Sequence, residues 1–181
     1  MKRTRIVATL VVALIFGQAV VGSRSSIVSA KSGTPSSITV ILIGLNCATP
    51  LGGGTFLVSS YSFGASQVGD TSSGGGSGTG KTVITDLNIQ RGMDACSPAL
   101  FGSTVSGKHF TTATMVQTDP NGNTLLTVTL TDVLVSGYQI SGNQQNPSPV
   151  EGLSFAYGKI CIEEASSGAK VCYDAAQGKL S

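Results

Sequence analysis

Four sets of residues in this sequence have types and spacings that could do chemistry. The first is Gly75-Gly76-Ser77-Gly78-Thr79-Gly80-Lys81-Thr82, which satisfies the GxxxxGK[ST] pattern of a phosphate-binding loop. That chemistry needs a strand feeding the loop and a helix leaving it, because the helix N-terminus helps hold the phosphates. Here a Gly/Ser tract, 70–80, precedes the Lys-Thr, and Val83 to Ile89 follows with the period-two alternation of a strand. A Gly/Ser loop ending in Gly-Lys-Thr matches by composition alone, and no nucleotide is expected. The second is His109, the only histidine and so the only base for a hydrolase triad. It follows Ser106-Gly107-Lys108, where a helix ends and a strand begins, a place where histidines pack or cap. The third is the carboxylates. Asp86, Asp94, Asp132 and Glu151 fall on different elements, and Glu163 and Glu164 are neighbours in a strand, so they point to opposite faces. No pair is set up for glycoside chemistry. The reading is therefore not an enzyme, with no cofactor. The fourth is Cys47, Cys96, Cys161 and Cys172. None forms a CxxC pair and one histidine cannot complete a zinc site, so an even count of cysteines reads as disulfides, with three pairings open.

The stretch that organises the chain is 108–142. Phe110 to Thr118 and Thr124 to Ile140 are rich in Thr, Val and Leu, and Asp119-Pro120-Asn121-Gly122 between them is turn chemistry: Pro presets φ and Asn-Gly tolerates positive φ. This predicts a β-hairpin. Leu126, Val128 and Leu130 alternate with Thr127, Thr129 and Thr131, one face buried and the other carrying hydroxyls. At Asp132 the alternation fails, and Val133-Leu134-Val135 is apolar on both faces, as for a strand entering a core or an interface. Asp132, Val133, Leu134 and Val135 are the interface candidates.

Other strands are predicted over Ile38–Leu45, covered on both faces, over Phe56–Phe63, over Val83–Ile89, and over Leu153–Ile162 paired with Val171–Ala175. One short helix is predicted, with Ser97 as N-cap, Pro98 in its first turn, Leu100, Phe101 and Val105 on its apolar side, and Gly107 closing it. Asn143 to Pro149 reads as a polar loop. Many strands with one helix indicate a mainly β chain, an antiparallel barrel or sandwich.

The N-terminus reads as a secretory signal peptide over 1–30, with a basic Met1–Arg5, an apolar Ile6–Gly17, and cleavage after Gly22 or Ala30. The apolar run is broken by Gln18 and is shorter than the roughly 20 residues of a span, so the mature form is expected to have none. Of the 11 basic residues, Lys2, Arg3, Arg5 and Arg24 lie in that segment. The seven left against nine acids turn the formal charge from +2 to −2. No basic stripe is left for nucleic acid. Residues 31–181 read as a single domain with a flexible Gly/Ser loop at 70–80, secreted or periplasmic after cleavage of the signal peptide.

From about Ile38 to Leu180 the chain resembles the haemolysin-coregulated protein (Hcp) family, the tube subunit of type VI secretion. The resemblance rests on motifs in order: Tyr61-Ser62-Phe63-Gly64; Asp86-Leu87, then Asp94 with Ser97-Pro98-Ala99-Leu100; Ser106-Gly107-Lys108-His109; Leu130 to Tyr138 followed by Ser141-Gly142; and Glu151 with Leu153-Ser154-Phe155 and Lys159-Ile160. It implies an antiparallel β-barrel of two sheets with one short α-helix, assembled into homo-hexameric rings that stack as a tube and accompany a secreted effector cargo. A signal peptide and four cysteines depart from the family pattern, so the chain reads as an exported relative. The alternatives are a monomeric secreted binding module on the same barrel and an envelope hydrolase centred on His109.

The last hairpin also narrows the cysteine pairing. A turn centred on Ser166-Ser167 sets Cys161 directly opposite Cys172, within disulfide reach, which leaves Cys47 for Cys96.

Overall fold

The structure, a computed structural model, describes residues 35–69 and 79–181. The signal-peptide reading and most of the Gly/Ser loop, 70–78, lie outside the described residues. In order the chain forms β1 (Ser37–Leu42), β2 (Thr55–Val58), β3 (Ser60–Ser62), β4 (Ala65–Gly69), β5 (Thr79–Ile84), β6 (Leu87–Gly92), α1 (Ser97–Ser106), β7 (His109–Thr118), β8 (Thr124–Asn143), β9 (Asn146–Glu164), β10 (Ala169–Asp174) and β11 (Lys179–Leu180). The described residues are mainly antiparallel β with one helix.

The β7–β8 hairpin forms where its turn residues dictate. Asp119 Oδ1 accepts from the backbone N–H of Asn121 and of Asn123, both at 2.8 Å, and Gly122 takes φ +87°. The Asn123 side-chain amide, which donates to Asp119 Oδ2 at 2.9 Å, and then these backbone bonds hold the Asp119 carboxyl below its ordinary range. From this hairpin the main sheet extends both ways, in the order β11-β10-β9-β8-β7-β1-β2. The far half of β9 also pairs with β6, and β6 with β3. The ladder does not close on itself by strand pairing. Its two edges are instead joined through the chain, because β2 pairs with β1 and β3, one residue later, pairs with β6. At Ser59 the backbone N–H turns from one edge to the other and donates to the Gln90 carbonyl at 2.8 Å. The expected single strand Phe56–Phe63 is thus two strands with different partners. Val83–Ile89 likewise divides, since Thr85 turns to bond Gly64 through both backbone and hydroxyl, so Thr79–Ile84 joins a separate two-stranded sheet with β4. A strand, not a helix, follows Gly80-Lys81.

Three further expectations are corrected. The apolar run at β1 is not covered on both faces: Val40 and Leu42 are buried, while Ile41 and Ile43 are exposed. Apolar residues on the outer face conceal the alternation in the sequence. The 143–149 loop is a tight reversal, Asn143 pairing with Asn146, so β8 and β9 form one long hairpin. In α1 the N-cap is Cys96, and Ser97 instead uses its hydroxyl to accept from the Asp94 N–H at 3.0 Å. Gly107 ends the helix at φ +63°, its N–H returning to Thr104. Of the expected apolar side only Leu100 is buried; Phe101 and Val105 face outward.

Phe56, Phe155, Leu87, Leu100, Met115, Val128 and Leu130 fill the core between the curled halves of the sheet. Gly54 shows how tight the first loop is. It sits at φ +71°, and a Cβ there would approach the Leu42 carbonyl oxygen to 2.6 Å.

Candidate functional site

The residues singled out as an interface separate in the structure. Along β8 the buried positions are Val128 and Leu130, then Val133 and Val135, so the inward parity changes between them. The same change occurs beside it, from Met115 and Ala113 to Phe110 on β7, and from Phe155 to Ile160 on β9. All three strands switch across the row Thr111–Asp132–Gly158, which is skipped in both ladders. Asp132 is the only non-glycine residue with positive φ among those described, at +54°. Its side chain lies over Gly158, where an added Cβ would meet Asp132 Cβ at 3.3 Å. Val133 and Val135 therefore belong to the chain's own core. Leu134 is half-buried and Asp132 exposed, so only these two of the four are open to a neighbour.

Among the outward apolar residues the sequence did not separate are some on β1, β2 and the turn just after β1. Ile41, Ile43 and Leu57 are 40%, 55% and 56% exposed, with Leu51 close in the connecting loop. The register sets Leu57 opposite Thr39 and Ile41 opposite Thr55, so the Leu57 and Ile41 side chains share one face.

Inside the fold the structure assembles a charged cluster. Arg91 and Glu151 oppose each other across β6 and β9, each 1% exposed. Arg91 Nε lies 3.2 Å from Glu151 Oε1 and donates to the Gly92 carbonyl at 3.2 Å, and the same guanidinium pairs with Asp94. Its carbon sits 4.4 Å above the Phe56 ring, a cation–π contact. Glu151 Oε2 accepts from the Tyr138 hydroxyl at 2.5 Å. Burial, then that hydrogen bond, push the Tyr138 phenol up to about 12. Asp94 Oδ1 also accepts from the Cys96 N–H at 2.7 Å. Cys96 is joined to Cys47, which ties the first loop to the helix. The other disulfide joins Cys161 to Cys172, directly opposed in the β9–β10 ladder.

Asp94 and Glu151, separate in the sequence, thus meet on Arg91. The signal for it was present. Leu87, Ile89 and Arg91 alternate inward, as do Glu151, Leu153 and Phe155, so both charges sit on the core face of their strands. Asp86 stays apart and accepts from Ser136. Glu163 pairs with Lys170 at 3.2 Å on the surface. Glu164 accepts from Ser166 and Ser167 in the β9–β10 turn, and these bonds, the Ser167 hydroxyl first, hold its carboxyl down to about 2.

His109 does gain a carboxylate: its Nδ1 lies 3.2 Å from Asp132 Oδ1, with both side chains exposed. A triad needs a nucleophile on the other ring nitrogen, and among the described residues no hydroxyl or thiol hydrogen-bonds to His109. No group of three His, Cys, Asp or Glu side chains among the described residues is placed to hold a metal ion. No helix among them is long and apolar enough to cross a membrane.

The fold has many solved counterparts. Hcp1 from Salmonella typhimurium is 23% identical with a TM-score of 0.68, the match covering 82% of this chain and 100% of that one. A type six secretion system protein is 21% identical with a TM-score of 0.70, over 80% and 99%. A type VI secretion system effector from Yersinia pestis is 19% identical with a TM-score of 0.62, over 76% and 98%. At such identities these share the fold. No curated protein matches in sequence. The family model described as "Type VI secretion system effector, Hcp" matches residues 48–163, well over half of the sequence. The chain therefore belongs to the Hcp family of type VI secretion proteins.

Proposed function

We propose that the chain is an exported, ring-forming member of this family, a structural protein that assembles head to tail into a homo-hexamer and stacks around a secreted effector cargo. The observation that carries the reading is the outward apolar face of β1 and β2. Ile41 and Leu57 point outward on one face and Ile43 is exposed just past the end of β1, in a chain of which only 11% is charged, and apolar groups gathered on one outer face mark contact sites. Leu134 and Asp132 extend the candidate contact on the hairpin. A patch that meets a different patch on the next copy makes a heterologous contact, which closes into a ring when the rotation permits.

Light scattering on the cleaved, oxidised protein over a range of concentrations tests this. The expected mass is that of a hexamer, and Leu57→Asp is expected to shift it toward the monomer. A wild-type monomer at every concentration would leave the fold intact and remove the ring, in favour of a monomeric secreted binding module.

Export rests on the sequence pattern of 1–30 and is tested separately. Intact mass of the exported protein is expected to show a first residue between Ser23 and Lys31. A full-length, membrane-held product would overturn it.

A further inference from the structure

We propose that the trough on the outer face of β3, β6, β9 and β8 is a binding site for an uncharged saccharide. This goes beyond ring assembly and uses none of the residues assigned to it. The trough has a volume of about 560 Å³, within the range of roughly 300–1,000 Å³ of small-ligand sites. Register builds it in rows: Ser60, Gln90, Gly152 and Gln139 stand side by side on four strands, and Ser62, Asn88, Ser154 and Gly137 form the next row.

Each row has a glycine in a strand interior, where a ligand or another backbone often approaches closely. Gly152 leaves a gap between Gln90 and Gln139, whose backbones stand two strand spacings apart, about 9–10 Å. A bulge-like register shift between Val135 and Gly137 changes the phase of β8. Beyond it Tyr138 is turned toward Glu151 and Gln139 outward. Bulges are over-represented beside binding sites, where they re-aim side chains.

The chemistry of the lining selects the ligand. Among the described residues no charged side chain lines the trough, which disfavours phosphates and carboxylates. An amide offers a donor and an acceptor side by side, and a serine hydroxyl does both. Adjacent sugar hydroxyls, each donor and acceptor, are their complement. Asn88 is held in place, its Oδ1 accepting from Ser154 at 2.6 Å and its Nδ2 donating to the Asp86 carbonyl at 3.1 Å. Ser60, Ser62, Gln90 and Gln139 line it with exposed side chains that make no hydrogen bond among the described residues, so their capacity is available to a ligand.

Calorimetric titration with maltotriose, cellotriose and chitotriose tests the site. At least one is expected to bind saturably with a Kd of about 1 mM. Gly152→Val is the decisive variant. A Cβ there finds its nearest neighbour, the Ile89 carbonyl oxygen, at 3.9 Å, so the side chain enters the trough without displacing backbone. It is expected to weaken binding at least about tenfold with an unchanged melting temperature. Gln90→Ala and Gln139→Ala, both exposed positions, are expected to weaken it several-fold and keep the test open if the glycine variant misfolds. Failure of all three sugars to bind, or binding that survives the variants, would overturn the site. So would an oligomer that Gly152→Val dissociates and no sugar perturbs, since the trough would then be a contact between copies.

Discussion

Glu151→Ala is expected to cost about 3–5 kcal/mol of folding stability, the range for breaking a buried ion pair from one side. Arg91 is the largest fully buried side chain among the described residues. Its guanidinium lies between the Phe56 ring, Glu151 and Asp94, and only Asp94 of the two acids reaches solvent. Removing Glu151 leaves the guanidinium with one partly exposed counter-charge and leaves the Tyr138 hydroxyl without its acceptor. The pair is also imperfectly satisfied as it stands, since Arg91 Nη1 and Glu151 Oε1 have no hydrogen-bond partner among the described residues. Replacing both charges at once, with Arg91→Met and Glu151→Leu, is accordingly expected to cost far less than Glu151→Ala and to approach neutrality. Denaturant midpoints for the single and double variants decide the matter. A loss below about 1 kcal/mol for Glu151→Ala would mean that the cation is hydrated or free to move, and would remove the cluster as a stabilising unit.

What the sequence revealed of this fold divides along the distance over which the information acts. The β7–β8 hairpin was legible because Asp119, Pro120, Asn121 and Gly122 act on their own backbone. The end of α1 at Gly107 was legible for the same reason. The register of the last hairpin followed from its turn and brought Cys161 opposite Cys172. The division of 55–62 at Ser59 was not legible, because it depends on where Gln90 presents its carbonyl. The interface candidates misled through the parity change at Asp132. Val133-Leu134-Val135 looks two-sided only if the inward phase of Val128 and Leu130 is carried past a residue whose φ is +54°. Arg91 looks like a surface residue until its strand phase is followed and the β6–β9 ladder sets Glu151, far along the chain, opposite it. The family motifs carried what local chemistry could not, because they encode the order in which these distant pieces meet.

The two disulfides are expected to contribute unequally, with the larger effect from Cys47–Cys96. It closes 49 residues against 11 for Cys161–Cys172. The chain-entropy model assigns about 4 kcal/mol to the first loop and about 3 kcal/mol to the second. Position widens the gap. Cys96 is fully buried, caps the helix, and donates its N–H to the Asp94 carboxylate that holds Arg91. Opening this bond frees the loop that carries Gly54 and loosens the attachment of the helix to the charged cluster. Cys161 and Cys172, by contrast, are already held as neighbours by six consecutive register pairs between β9 and β10, so the ladder retains much of the constraint without the bond. Cys47→Ala with Cys96→Ala is therefore expected to lower global stability by about 4 kcal/mol. Cys161→Ala with Cys172→Ala is expected to cost less and to act locally, as faster amide exchange in β10 and β11. Denaturant unfolding and hydrogen exchange on the two double variants separate these outcomes. Equal losses, or a larger loss at Cys161–Cys172, would mean that the last hairpin rather than the helix attachment is the weak point of the fold.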